Sequence, residues 1–178
     1  CLYLVDPLGV VKARYDKVFL TDTDRLAYAP GRRLVLANIG EFRVGLSICF
    51  DMRFPEIFRR YLRAGANLVL ISSFQSGGER AAHMRTVAPS TLITRASENG
   101  FNLSCSNTSE RPSWHEAMIV SFNGVVKARA RRHRSSLAIA TLDSREREPF
   151  TDFIRGCALD LPQERAGDGF ESIVSSNR

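Results

Sequence analysis

Residues 42 to 72 constrain the fold more than any other stretch, because a strand, a sharp turn, a helix and a second strand follow one another within about thirty residues. Phe42, Val44, Leu46 and Ile48 alternate onto one face of the first strand, which stops at Cys49. Pro55 opens a helix, where its missing N–H costs nothing, and Ile57, Phe58, Tyr61 and Leu62 make an apolar stripe that ends at Gly65. Asn67 to Ser72 (NLVLIS) is almost wholly apolar, as expected of a strand covered on both faces. A parallel crossover unit of this kind needs helices over its sheet, so the fold class is α/β.

Flanking segments extend the sheet. Leu2 to Val5 and Val10 to Tyr15 bracket the turn Asp6-Pro7-Leu8-Gly9 and read as a hairpin. Asp16 to Arg33 reads as a loop, and Leu34 to Ile39 as a strand. Glu79 to Ala88 and Pro89 to Asn99 read as helix, interrupted or restarted at Pro89 and stopped by Gly100. Phe101, Leu103 and Cys105 alternate again; Ala117 to Phe122 and Val125 to Ala130 flank Asn123-Gly124, a strong hairpin signal. Leu137 to Leu142 is expected to add one more strand, and from Ser144 the chain turns polar, like an arm. The hexapeptide GVVKAR occurs at Gly9 to Arg14 and again at Gly124 to Arg129, each time as the second strand of a hairpin.

Composition removes several classes of function. No run approaches the roughly 18 apolar residues of a membrane span, and no signal peptide is visible, so the expectation is a cytoplasmic protein without a membrane partner. The surplus of 25 basic over 19 acidic residues is modest, and its dense part, Lys127 to Arg134, lacks aromatic residues to stack on bases. A solvated strand explains that run better than a nucleic-acid surface. Cys1, Cys49, Cys105 and Cys157 lie about fifty residues apart, which suits neither a zinc site nor a redox dithiol; no metal and no cofactor is expected.

Cys49 ends a strand where the chain turns into a helix, and ligands of open α/β sheets collect at such strand ends. A thiol there can point outward, with backbone N–H groups placed to meet a developing oxyanion. Taken alone, the position also fits a buried structural cysteine, which is the commoner case. His83 and His115 fit surface or packing roles, and Trp114 fits either a pocket or an interface.

The run GLSICFDMRFPE, Gly45 to Glu56, resembles the nucleophile motif of the nitrilase superfamily, the carbon–nitrogen hydrolases. YDKVFL at Tyr15 to Leu20, Pro30-Gly31 and Arg95-Ala96-Ser97-Glu98-Asn99 are similar to further family segments and follow in the family's order. The resemblance implies an α-β-β-α sandwich, acting as a homo-oligomer on a small-molecule amide, nitrile or carbamoyl substrate. It implies that Cys49 is the nucleophile, that Lys17 stabilises the tetrahedral intermediate and that the backbone N–H of Phe50 helps form the oxyanion hole. Asp51, Arg53 and Glu56 are expected to hold the turn through ion pairs, and Arg95 and Glu98 to brace a helix.

The sequence also departs from the family's pattern. The family's general base is a Glu upstream of the Lys segment, and only Asp6 is acidic before Lys17 here. A second Glu often follows the Lys; Asp24 stands nearest that place. Phe19 replaces a common His, and His115-Glu116-Ala117 replaces a small Gly/Ser segment. Residues 1 to 143 are therefore read as a partial hydrolase domain lacking its N-terminal part, and 144 to 178 as an arm. An amidase-type hydrolase is the first reading. A pseudoenzyme or interaction subunit is the second, and an N-acyltransferase is a variant using the same thioester.

Overall fold

The computed structural model describes residues 1–77, 82–160 and the backbone of 171–172. β1 (Leu2–Val5) and β2 (Val11–Tyr15) form an antiparallel hairpin. A short helix, α1 (Asp22–Arg25), follows, then β3 (Val35–Ile39) and β4 (Phe42–Ile48), a 3₁₀ turn over Cys49–Arg53, α2 (Pro55–Arg63) and β5 (Leu68–Ser72). α3 (Met84–Asn99), β6 (Asn102–Ser106), β7 (Met118–Val120), β8 (Val126–Arg129), α4 (Pro149–Asp160) and β9 (Glu171–Ser172) complete the order.

Seven strands make one sheet in the order β8-β7-β6-β5-β4-β3-β9. At its centre β4, β5 and β6 run parallel, joined through α2 and α3, while β3 and β7 flank them antiparallel. Because β4, β5 and β6 lie side by side in chain order, two successive crossovers of the same hand put both helices on the same face. There Ile57, Phe58, Tyr61 and Leu62 of α2 are buried, as are Ala88, Leu92 and Ala96 of α3. Tyr61 joins helix to sheet: its hydroxyl donates to the Leu46 carbonyl at 2.5 Å and accepts the Leu46 N–H at 3.2 Å. The hairpin packs against β3 and β4, burying Ala13 and Tyr15.

Both copies of GVVKAR begin on a left-handed glycine, Gly9 at φ 81° and Gly124 at φ 85°, and lead into β2 and β8. The same turn demand met twice explains the repeat.

Five segments differ from the sequence reading. The loop from Asp16 contains α1, which Thr21 caps through its hydroxyl. The helix expected from Glu79 begins at Met84, positions 79–81 lying outside the described residues, and it continues through Pro89. Pro89 stands in the second turn, so the helix forgoes one hydrogen bond and is carried on by its buried face. β5 buries Val69 and Ile71, while Leu68 and Leu70 are half-buried, so only one of its faces is fully covered.

Leu137 to Leu142 forms no strand: among the described residues it pairs with nothing in either sheet, and Leu137 and Ile139 are 85% and 81% exposed. Its apolar composition suits a strand, but among the described residues no neighbouring strand offers hydrogen bonds. The polar stretch from Ser144 contains α4, which packs on α3 through Thr151 and Ala158 and donates from Arg155 Nη1 to the Gly100 carbonyl at 3.0 Å. Pro162, Gly167 and Gly169 of that stretch lie outside the described residues.

Candidate active site

β4 delivers Cys49 at the carboxyl edge of the sheet. Its φ of 47° is unusual for a residue with a Cβ, a strain of order 1–3 kcal/mol that surrounding contacts must hold. Asp51 supplies them. Its buried carboxylate accepts from the Tyr15 hydroxyl at 2.7 Å, the Ile48 N–H at 3.0 Å and the Phe19 N–H at 2.8 Å. Burial pushes the Asp51 carboxyl above its ordinary range, while these donors and the Lys17 charge pull it back. Burial, then the Asp51 charge, pushes the Tyr15 phenol up.

From the helical layer, Arg95 donates through Nε to the Met52 carbonyl at 3.2 Å and through Nη2 to the Arg53 carbonyl at 3.4 Å. Its Nη1 pairs with Glu98 at 2.8 Å. Arg95 therefore closes the C-terminal end of the 3₁₀ turn as well as bracing its own helix. Arg53 and Glu56 are exposed and, with Asp51, make no ion pair among the described residues. Asp51 hydrogen bonds and Arg95 hold the turn in place of the expected ion pairs.

The Cys49 thiol donates to the Phe74 carbonyl at 3.7 Å, and the Phe50 N–H lies against the sulfur. Burial pushes the thiol above its usual range; the Phe74 contact, Lys17 and the Phe50 N–H oppose that shift, and Asp24 adds to it. Lys17, two residues past the end of β2, is largely buried and pairs with Asp24 Oδ2 at 2.5 Å. Asp24 Oδ2 also accepts the Thr21 N–H at 3.0 Å, and Thr21 Oγ accepts the Asp24 N–H at 3.2 Å. The Lys17 ammonium, first, and these donors hold the Asp24 carboxyl below its ordinary range. Asp24 thus stays ionised and aims the lysine.

A cavity of about 740 Å³ joins Cys49, Lys17 and Asp24, with Tyr28, Ser73 and Phe74 in its walls. Sequence reasoning missed Phe74 and Tyr28. Phe74 follows the end of β5, a parallel strand, and the tendency of ligands to gather at such ends pointed there. Cys105 is buried, near Ser73 Oγ at 3.5 Å, its thiol pushed up to about 12 by burial; it is a packing residue. His115 is buried too, with Nδ1 donating to the Glu116 carbonyl at 2.7 Å, and Trp114 covers Gly77.

The family model described as carbon–nitrogen hydrolase matches residues 1–150. The chain belongs to the carbon–nitrogen hydrolase family. Among its relatives is a deaminated glutathione amidase of Dictyostelium discoideum, 27% identical over 177 residues, covering 89% of this chain and 56% of the relative. The deaminated glutathione amidase of Yersinia enterocolitica is 31% identical over 106 residues, covering 54% of this chain and 36% of its own length. The amidase from Nesterenkonia sp. AN1 superposes with a TM-score of 0.68 at 26% identity, over 79% of this chain and 56% of that one. That structure is of a mutant in which acrylamide has added to the active-site cysteine. The chain spans about half the length, or less, of these relatives. Among the described residues no helix is long and apolar enough to cross a membrane.

Proposed function

We propose that this chain carries the thiol centre of an amidase acting on non-peptide C–N bonds of small amides, nitriles or carbamoyl compounds. The observation that supports it best is the convergence of Cys49 and Lys17 on one cavity, with the Phe50 N–H beside the sulfur. Cys49 attacks the amide carbon, and the oxyanion that forms meets Lys17 and the Phe50 N–H. Collapse expels the amine as a thioester forms, and water then releases the acid. Asp24 orients Lys17, so its charge is already engaged before substrate arrives.

The thiol proton needs an acceptor, a step worth about 10² to 10⁴ in rate. Asp16 and Asp24, the carboxylates lining the cavity among the described residues, are each in an ion pair. A thiol kept protonated beside engaged carboxylates favours the second reading, a chain that binds or assembles without turning over on its own. Ammonia release from ω-amides and carbamoylated amines separates the two. It is measured for this chain and for any longer natural product that contains it, each with and without Cys49→Ala. Release that Cys49→Ala leaves unchanged rules out the thiol mechanism. Added amine acceptors distinguish acyl transfer from hydrolysis by their products. The outer face of α4, where Phe150 and Phe153 are each 66% exposed, supports self-association, which sedimentation tests.

A further inference from the structure

Phe74 meets the Cys49 sulfur through its backbone two residues beyond β5, where the strand's own ladder has ended. A segment that has left its sheet needs other partners for its N–H and C=O groups, and they decide where it sits. For residues 75 to 77 the partners come from the chain that follows β6.

Asn107, the residue after β6, supplies the central contacts. Its Oδ1 accepts the Gln75 N–H at 2.7 Å, and its Nδ2 donates to the His115 carbonyl at 2.7 Å and to the Gln75 carbonyl at 3.4 Å. The Gln75 carbonyl also accepts the Trp114 N–H at 3.2 Å, Ser76 bridges to Ser113, and the Gly77 N–H donates to the Pro112 carbonyl at 3.2 Å. A Cβ on Gly77 would stand 2.6 Å from the Trp114 ring, so a glycine lets the indole close over the segment. The amide of Asn107 suits this place because it donates and accepts at once; a carboxylate lacks the donors and a hydroxyl has only one.

The segment held in this way touches the cysteine turn at two points. The Cys49 thiol donates to the Phe74 carbonyl at 3.7 Å, and Gln75 Nε2 donates to Met52 Sδ at 2.6 Å, Met52 being fully buried in that turn. Phe74 also lines the cavity beside Cys49, whereas Asn107 does not. We propose that Asn107 is a positioning residue of the thiol centre, which sets the Phe74 backbone against the Cys49 sulfur by clamping Gln75. The inference rests on Cys49 being the reacting thiol.

Asn102 provides the matched comparison. It is a bridging asparagine of the same strand at the opposite end, where it accepts the Phe122 N–H at 3.2 Å and donates to the Asn67 carbonyl at 3.4 Å. Alkylation of Cys49 by iodoacetamide at about pH 8, read by peptide mass mapping, reports on the sulfur without requiring turnover. Without the clamp the Phe74 backbone, whose contact favours the thiolate, withdraws from the sulfur, so Asn107→Ala is expected to slow alkylation about threefold. Asn102→Ala is expected to stay within about 1.5-fold of the parent, since its site is independent of the sulfur. Asn107→Ser, which keeps a hydroxyl for the Gln75 N–H, is expected to fall between the parent and Asn107→Ala, and it decides the matter if the alanine variant does not fold. Equal slowing by the Asn107 and Asn102 variants, or no slowing by a folded Asn107 variant, overturns the inference. Failure of the catalytic reading shows separately, as ammonia release independent of Cys49 while the alkylation contrast stands.

Discussion

The strand that leads into the nucleophile turn and the stretch from Leu137 to Leu142 both read as apolar strands in the sequence, yet they end in opposite states. In the first, Val44 and Leu46 are buried, β5 lies hydrogen-bonded alongside, and Asp51 ties three segments together. In the second, Leu137 and Ile139 face solvent, beside no strand among the described residues. Alternation records which face a strand would bury; it becomes a strand only where another segment completes the ladder.

The largest test of this contrast is Phe58→Ala. Phe58 is fully buried between helix and sheet, and its removal is expected to cost about 3–5 kcal/mol in denaturant unfolding. Asp51→Asn comes next, at about 1–3 kcal/mol, because an amide cannot accept from all of the Tyr15, Phe19 and Ile48 donors. A loss as large as that of Phe58 would make the turn, and not the helical layer, the centre of stability.

Reactivity of Cys49 sharpens the comparison at the level of chemistry. Burial raises the thiol pKa above 9.0, so alkylation is expected to quicken about tenfold per pH unit from 7 toward 9. Lys17→Met should slow it and Asp24→Asn should quicken it, since the first charge favours the thiolate and the second opposes it. Equal rates in both variants would mean that neither charge reaches the sulfur.

His115 supplies a pH signature. Burial lowers its pKa from 6.5, so the unfolded chain takes up the proton more readily. The stability it contributes is present above pH 6.5 and is lost as pH falls through the lower folded value. Chemical unfolding between pH 7 and 5 should show that decline, and His115→Asn should remove it. Glu116 beside it, which pairs with Arg129 at 2.8 Å, is held below its ordinary range and stays ionised across that interval. The smallest effect expected is Ile139→Ser, within about 0.5 kcal/mol of the parent; a loss above 1 kcal/mol would show the segment buried in solution.

Where local rules decide, the sequence was legible. Pro55 opened its helix, Asn123-Gly124 made its hairpin, and Cys49, Lys17 and Asp24 came to one cavity. What it concealed depends on contacts between distant residues. Nothing near Asp51 announces Tyr15, 36 residues away, as its partner, and nothing in Arg95 announces the Met52 carbonyl. The polar look of the stretch after Ser144 hid α4, because Thr151 and Ala158 are too small to make a visible apolar stripe.

The Asp51 carboxylate has a consequence for how this site can vary. It fixes the Tyr15 and Phe19 ends of the lysine segment directly to the cysteine turn, across separations of 36 and 32 residues. The spacing of Lys17 from Cys49 is therefore not transmitted along the chain between them. Exposed residues such as Leu26 and Tyr28 lie on a detour whose length can change without moving the reacting pair, leaving pocket shape free to diverge around an invariant centre.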